Sequence, residues 1–488
     1  MDGHSLTFFY TEKILEKTCP TSNGPSMESR PHVWDFQRIF HPKRVAVIGV
    51  SLERDRHPAN VIFNKIHLRY PVKVFPVNPR GGELFGKKVY TRIQDIPQPI
   101  DMAIIVVRAD YTLDVLKSCI DAGVGGATII SGGFAEVGRP ELQQQLAELA
   151  RHHGFPFIGP NCLGVYVPGC MDTFFIPPER MIRPQIGKVA LVSQSGGVLV
   201  DLMTKFAEQG VGFSLGVSIG NKALIGELDL LRYLADDPDT GVIAFYIEGF
   251  APGEGREFVL AARRCSKPVI VLKAGKTRDG MRAVSSHTAS MAGDYAVFSA
   301  VLAQHGIVEA ANEFELISFC EVLSCYQEAV DGRVGIISSS GGHGSLAADI
   351  CGRHGLSVPA IDPRQQAELR AALIPSVQPI ASLVNPIDLT GSATDGDFLA
   401  AAQYLARSPD IDCIILLLLP YSPEITSDLG ARLSRVCRHN NKPLVAYVPH
   451  VDRYRMLIEG FEFNGVPVSP SIKGAVLMVE ALKRSRPC

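Results

Sequence analysis

KVALVSQSGG, residues 188–197, decides the fold. Lys188 to Val192 is a short run of apolar residues, the composition of a strand buried on both faces. It ends at Ser193-Gln194-Ser195 and Gly196-Gly197, and a helical pattern follows. Strand, small polar turn and helix open a parallel α/β unit. The same opening recurs at 333–342, RVGIISSSGG, with Ser338-Ser339-Ser340 and Gly341-Gly342 in the turn. Two units therefore start alike, as related α/β folds rather than as a short-period repeat.

Upstream, Arg44 to Gly49 (RVAVIG) reads as the first strand of an earlier unit, followed by a helix from about Ala59. Val72–Val77, Ala103–Val107, Ala127–Ile130 and Pro156–Ile158 continue its strands. Pro168, Pro177, Pro178 and Pro184 resist helix, so Val165 to Ile186 reads as a connector. The later strands of the second unit are Val242–Ile247 and Pro268–Leu272, and a helix near 312–327 closes it. Those of the third are Ile411–Leu418 and Pro443–Val448. The expected division is an extension over 1–34, then units at 35–165, 166–328 and 329–488.

Length and composition agree. The 488 residues suit about three domains, and 46% apolar with 20% charged residues can fill their cores. Lys plus Arg is 48 against 50 Asp plus Glu, a net charge of −2, which gives no footprint for nucleic acid. No run nears the roughly 20 apolar residues of a membrane span. The first residues lack the basic and apolar regions of a secretory signal. The 11 cysteines form no C-x-x-C pair, so no metal site is expected and a reduced cytoplasmic setting follows.

Three features could carry chemistry. Gly49-Val50-Ser51 follows the first strand, but no G-x-x-G continuation completes a dinucleotide fingerprint, which disfavours a nicotinamide enzyme. The two Ser-Gly-Gly turns each precede a helix, whose free N–H groups and dipole favour an anion. One dipole is worth only about 0.3–1 kcal/mol at an exposed site, so a paired arrangement would hold a phosphoryl group better. Third, Ala283 to Gly293 (AVSSHTASMAG) reads as a mobile loop with His287 at its centre. Neutral imidazole is a nucleophile near pH 7 and can accept a phosphoryl group. Glu248, at the C-terminal end of a strand, could orient it; the alternatives are a solvated loop histidine and a surface glutamate.

Taken together, these residues resemble the α subunit of ADP-forming acyl-CoA synthetases of the acetate–CoA ligase type, within the succinyl-CoA synthetase superfamily. The resemblance spans about 35–450. It rests on VAVIGVS (45–51), PVNPRGGELFGKKVY (76–90), SGGFAEVG (131–138), GPNCLG (159–164), SQSGG (193–197), SIGNKA (218–223), DDPDT (236–240), YIEG (246–249), SSHTASMAG (285–293) and NPIDLTG (385–391). It implies a Rossmann-like coenzyme A-binding domain followed by two flavodoxin-like ligase domains. It implies phosphorylation of His287, assisted by Glu248. Phosphate is expected at Ser193, Ser195, Gly196 and Gly197 and at Gly341 and Gly342. Coenzyme A is expected along Gly49, Ser51, Asn78, Arg80, Ser131, Gly132 and Gly133, its thiol toward Asn161 and Cys162.

The implied reaction is an acid–CoA ligation on a small carboxylic acid, through an acyl phosphate and a phosphohistidine. No segment resembles an ATP-grasp domain, so ADP/ATP with Mg is expected on a separate β subunit in an α2β2 assembly. Departures from the family pattern fall at Ala289, Leu224, Gly226 and His343. Competing readings are a succinyl-CoA synthetase-like α subunit, which the third unit disfavours, and a non-catalytic coenzyme A-binding regulator.

Overall fold

The computed structural model describes residues 34–251, 253–287, 294–449 and 451–485, with the side chains of 285–287 outside that description. Residues 1–34 of the expected extension are therefore described only at Trp34. Trp34 to Ser485 fold around three mainly parallel sheets.

The first sheet runs Lys73–Val77, Arg44–Ile48, Met102–Ile105, Ala127–Ile129, Phe157–Ile158, all parallel. An isolated parallel bridge pairs Val77 with Tyr90 at its outer edge. Tyr90 N–H donates to Pro76 O at 2.9 Å and Asn78 N–H to Tyr90 O at 3.0 Å. Counting that bridge, the strand order is 3-2-1-4-5-6, that of a dinucleotide-binding fold.

The middle sheet has Ile186–Ser193 at its centre, with Phe213–Ser218 on one side and Val242–Ile247, Val269–Lys273 and Val308–Ala310 on the other. The third has Val334–Ser338 between Ile387–Asp388 and Cys413–Leu417, then Leu444–Tyr447 and Val468–Ser469. In chain order the parallel strands of both follow 2-1-3-4-5, the flavodoxin-like order. The expected kinship of the two units is thus repeated in topology.

The stretch expected as a connector is partly strand. Gly164–Val167 pairs antiparallel with Phe213–Ser218, and Met171–Asp172 pairs antiparallel with it in turn. Val165, Tyr166 and Val167 are all buried there, and Pro168 falls in the turn where no ladder N–H is needed. A buried ion network then fixes the chain that follows. Asp172 accepts from Lys65 Nζ at 2.6 Å and from Arg183 Nε at 2.6 Å. Arg183 also donates to Met181 O and Ile176 O at 3.1 Å each. Burial pulls the Lys65 ammonium down to about 8, partly opposed by Asp172.

One apolar core joins the first and middle sheets through Phe40, Phe63, Met171 and Phe245. Another joins the middle and third through Phe319, Val334 and Met478. Helix Ile472–Arg484 packs on helix Glu313–Cys325 and is buried along Gly474–Val479, Ala481 and Leu482, hence apolar nearly all round. No described helix is long and apolar enough to cross a membrane. The nine cysteines among the described residues are all free.

Candidate active site

Gly49 sits where the order of the first sheet reverses, between the strands that end at Ile48 and Ile105. Its φ is +99°, and a Cβ there would lie 2.2 Å from Val106 O. Only glycine fits this crevice, the standard ligand position of an open α/β sheet. The neighbouring expected residues build one loop surface. Ser51 N–H donates to Asn60 Oδ1 at 2.8 Å, and Asn78 Nδ2 donates to Val50 O at 2.7 Å. Arg80 lies exposed and pairs with Glu53 at 2.7 Å.

Ser131, Gly132 and Gly133 follow the Ala127–Ile129 strand. Asn161, at φ +57°, docks its N–H on Ser131 O at 2.9 Å. Glu136 turns back on the loop, accepting from Gly133 N–H, from Phe134 N–H at 3.2 Å and from Asn221 Nδ2. Cys162 is buried, with its thiol 3.3 Å from Ile129 O, and burial pushes it up to about 12. It is a packing residue rather than a reactive thiol.

In the middle unit the turn is braced by Ser193 and capped by Ser195. Ser193 Oγ donates to Ser195 O at 2.6 Å, and Ser195 Oγ accepts from Val198 N–H at 3.3 Å at the start of helix Gly196–Glu208. A Cβ at Gly197 would meet nothing within 4 Å, so this helix end is open. The third unit reuses the brace: Ser338 Oγ donates to Ser340 O at 2.7 Å before helix Gly341–Arg353.

One cleft of about 880 Å³ gathers many of these groups: Gly132, Asn161 and Cys162 from the first unit, with Ser195, Gly196, Gly197 and Glu248 from the second. Ser193 lies beneath the turn, fully buried. Gly49, Ser51, Asn78, Arg80, Ser131 and Gly133 lie outside the cleft lining, as do Gly341 and Gly342. A Cβ at Gly341 would come 2.8 Å from Asp388 Oδ2.

His287 is the last residue of helix Arg278–His287, and its side chain and Ala289 lie outside the described residues. That helix corrects the reading of 283–287 as loop. Thr277 starts it, accepting from Gly280 N–H at 3.1 Å through its hydroxyl and from Met281 N–H at 2.7 Å through its carbonyl. Val284 anchors it, buried, its Cγ2 lying 3.3 Å from where a Gly275 Cβ would stand.

The structure adds residues that the sequence reading passed over. Gln194, between the two serines, clamps the strand end carrying Glu248. Its Oε1 accepts from Glu248 N–H at 2.6 Å and Gly249 N–H at 3.2 Å, and its Nε2 donates to Gly249 O at 2.7 Å. Lys222 Nζ donates to Gly249 O at 2.9 Å and to both oxygens of Glu227, at 2.9 and 3.2 Å. Glu227 is wholly buried; burial raises its carboxyl, with Lys222 and Gln194 opposing. Glu248 is half-buried and hydrogen-bonds Tyr246, whose hydroxyl is pushed up to about 12 by burial and by that carboxylate. The Gly226 departure also has a local reason: a Cβ there would stand 2.8 Å from Glu254 Oε1. His343 sits 3.2 Å from Ser340 Oγ, its ring stacked 6.1 Å from that of Tyr447.

Comparison with known proteins agrees with this fold. Residues 43–168 match the CoA binding domain family, and 186–323 match the succinyl-CoA ligase like flavodoxin domain. The α subunit of acetate–CoA ligase [ADP-forming] I from Pyrococcus furiosus is 35% identical over 92% of this chain and 97% of its own length. The chain belongs to this α-subunit family. It spans 55% of the Archaeoglobus fulgidus acetate–CoA ligase [ADP-forming] I, to which it is 36% identical over 79% of its own length. The dinucleotide forming acetyl-coenzyme A synthetase 1 of Ca. Korarchaeum cryptofilum, solved with phosphate and ADP, superimposes with a TM-score of 0.83 at 31% identity, covering 92% of this chain and 97% of that one. Family membership fits the expected Rossmann-like and flavodoxin-like units and favours the acetate–CoA ligase reading over the succinate one.

Proposed function

We propose that this chain is the catalytic α subunit of an ADP-forming acid–CoA ligase. The reaction interconverts acyl-CoA, ADP and phosphate with a carboxylic acid, coenzyme A and ATP. One observation carries it: a single cleft is lined both by loops of the coenzyme A-binding unit and by an open helix end beside Glu248.

Coenzyme A would run along Gly49, Ser51, Asn78, Arg80 and the Ser131–Gly133 loop, bringing its thioester to Asn161. Phosphate at the Ser195–Gly197 helix end attacks the thioester carbonyl; the C–S bond breaks, and acyl phosphate and coenzyme A result. The His287 imidazole then attacks phosphorus, and the P–O bond to the acyl group breaks, releasing the carboxylate. Glu248 orients the imidazole and balances its charge. The phosphoryl group finally passes to ADP. This relay replaces one difficult exchange by easier steps. Each phosphoryl transfer needs position and charge stabilisation, which helix N–H groups supply. Gly341 and Gly342 would offer a second helix end when the third unit's turn faces the phosphohistidine.

We assign the working units to 35–165, 166–328 and 329–488, and the nucleotide step, with Mg, to an ATP-grasp β subunit in an α2β2 complex. A cytoplasmic setting suits the free thiols. The test is ATP formation from acyl-CoA, ADP and phosphate. We expect ATP only with a β subunit present, and phosphate-dependent release of free thiol from the α chain. Coenzyme A binding without thiol release, with or without β subunit, would favour the regulatory reading instead.

A further inference from the structure

We infer that Lys273 is a positioning residue for the phosphohistidine step: its buried ammonium fixes the Glu248 main chain against the turn that leads to the His287 helix, and its positive charge acts on the Glu248 carboxylate. The inference rests on the ligase reading and adds a residue to its machinery.

The ladder between strands Val242–Ile247 and Val269–Lys273 runs in register to Ile247 and Lys273, and Ala274 N–H closes it on Ile247 O at 2.9 Å. Glu248 is the first residue beyond it. Both of its backbone groups are taken by side chains. Gln194 Oε1 accepts from Glu248 N–H at 2.6 Å, and Lys273 Nζ donates to Glu248 O at 2.7 Å. The peptides on either side of the Glu248 side chain are thus fixed from two directions.

The same ammonium donates to Ala274 O and lies 5.8 Å from the centroid of the Phe298 ring, on helix Tyr295–Gln304. Gly275 follows at φ +75°, and a Cβ there would stand 3.7 Å from Lys273 Nζ and 3.7 Å from Met281 Cα, in helix Arg278–His287. Glycine at this turn lets that helix close on the ammonium. Lys273 therefore lies where Glu248, the His287 helix and the helix that follows it converge.

A tie of this kind does not require a charge. A neutral donor would satisfy Glu248 O at a lower desolvation cost. Lys273 is only 8% exposed, in a strand otherwise of Val, Ile and Leu. Its acceptors are carbonyls, and among the described residues no carboxylate pairs with it. Glu309, another acid acting on it, is engaged by Lys276 at 3.4 Å, Tyr295 at 2.8 Å and Ser299 at 2.7 Å. Burial pulls the Lys273 ammonium down; Glu248 is the charge that opposes this most, and the Lys276 cation adds to it. A nearby cation favours both an ionised Glu248 and a neutral, nucleophilic imidazole, the pair that the phosphohistidine step requires.

The test uses the full chain with its β subunit, ADP, phosphate and whichever of acetyl-, isobutyryl- and phenylacetyl-CoA turns over fastest. Lys273→Gln keeps a donor for Glu248 O and removes the charge, Lys273→Met removes both, and Lys273→Arg keeps the charge. We expect Lys273→Gln and Lys273→Met to slow phosphorylation of the chain by about 10–100-fold in rapid-quench labelling, with the Kd for coenzyme A changed by less than about 2-fold. The acidic limb of the kcat/KM pH profile should move up by about half a unit or more in both, because loss of the cation makes Glu248 and the imidazole easier to protonate. Lys273→Arg should restore the limb and most of the rate. Should only one neutral variant fold, it carries the comparison with Lys273→Arg. An unmoved acidic limb in the neutral variants, or Lys273→Arg as impaired as they are, would overturn the inference while wild-type turnover upheld the ligase reading. No phosphorylation of the wild type with any of the esters would overturn the ligase reading, and this inference with it.

Discussion

Replacing Lys222 by Met tests the clamp behind Glu248. Lys222 Nζ lies 2.9 and 3.2 Å from the two oxygens of Glu227, whose side chain is wholly buried. At about 3 Å and an effective dielectric near 20, that attraction is about 5 kcal/mol. Removing one partner of such a pair costs about 3–5 kcal/mol, because the other charge stays buried. Of the neighbours that remain, Gln194 still donates to Glu227, but it is neutral, and Glu254 is a like charge.

The sign of the pH dependence follows. Burial already holds the folded-state Glu227 carboxyl above its ordinary value, and losing Lys222 raises it further. A raised carboxyl favours folding below the unfolded-state value, and that stability is lost as pH rises through the folded-state value. The Lys222→Met loss should therefore be about 3–5 kcal/mol at pH 8 and smaller at pH 5. Urea unfolding followed by far-ultraviolet circular dichroism at both pH values measures it. The double variant Lys222→Met/Glu227→Gln should recover part of the loss. Equal stability of Lys222→Met and wild type at pH 8, or an equal loss at both pH values, would refute the reasoning.

Gly49→Ala should weaken coenzyme A binding by about 10-fold or more and cost about 1–3 kcal/mol, since φ is +99° and the new Cβ would meet Val106 O; calorimetric titration and urea unfolding read both. Glu248→Gln should slow phosphorylation of the chain by on the order of 100-fold while coenzyme A binding is kept, seen by rapid-quench labelling. Glu321 is buried, accepts from Val468 N–H at 2.9 Å through one oxygen and has no partner at the other, and burial raises it to about 8. Its neutral form is thus favoured in the folded chain, and stability is lost as pH rises from its unfolded value, 4.5, through 8. Glu321→Gln should stabilise the chain at pH 8 and change little at pH 4, measured by denaturant midpoints.

What the sequence revealed and what it concealed divide along physical lines. The five-residue strand Arg44–Ile48, the eight-residue Ile186–Ser193 and the turns that follow them were legible, because burial on both faces demands unbroken apolar runs. Ile387–Asp388, Val468–Ser469 and Met171–Asp172 were not, because a two-residue strand with one polar residue makes no apolar run. Gly49, Ser195 and Gly197 announced themselves by residue type at a strand-to-helix turn. Gln194 did not, since its partners Glu227 and Gly249 lie 33 and 55 residues away. One local signal existed for Gln194: a long amide directly after a run of buried apolar residues, where only a paired side chain is tolerated. Val284 misled the loop reading, because a single apolar anchor in a small polar segment carries no helical period.

The most direct measurement is the fate of labelled phosphate. The α chain is incubated with an acyl-CoA and radioactive phosphate, and the bound label is tested for acid lability, stability in base and position by peptide mass. The account predicts an acid-labile, base-stable label on the peptide containing His287 that is absent from His287→Asn while coenzyme A binding persists. A label that survives acid, or one that forms equally in His287→Asn, would contradict it.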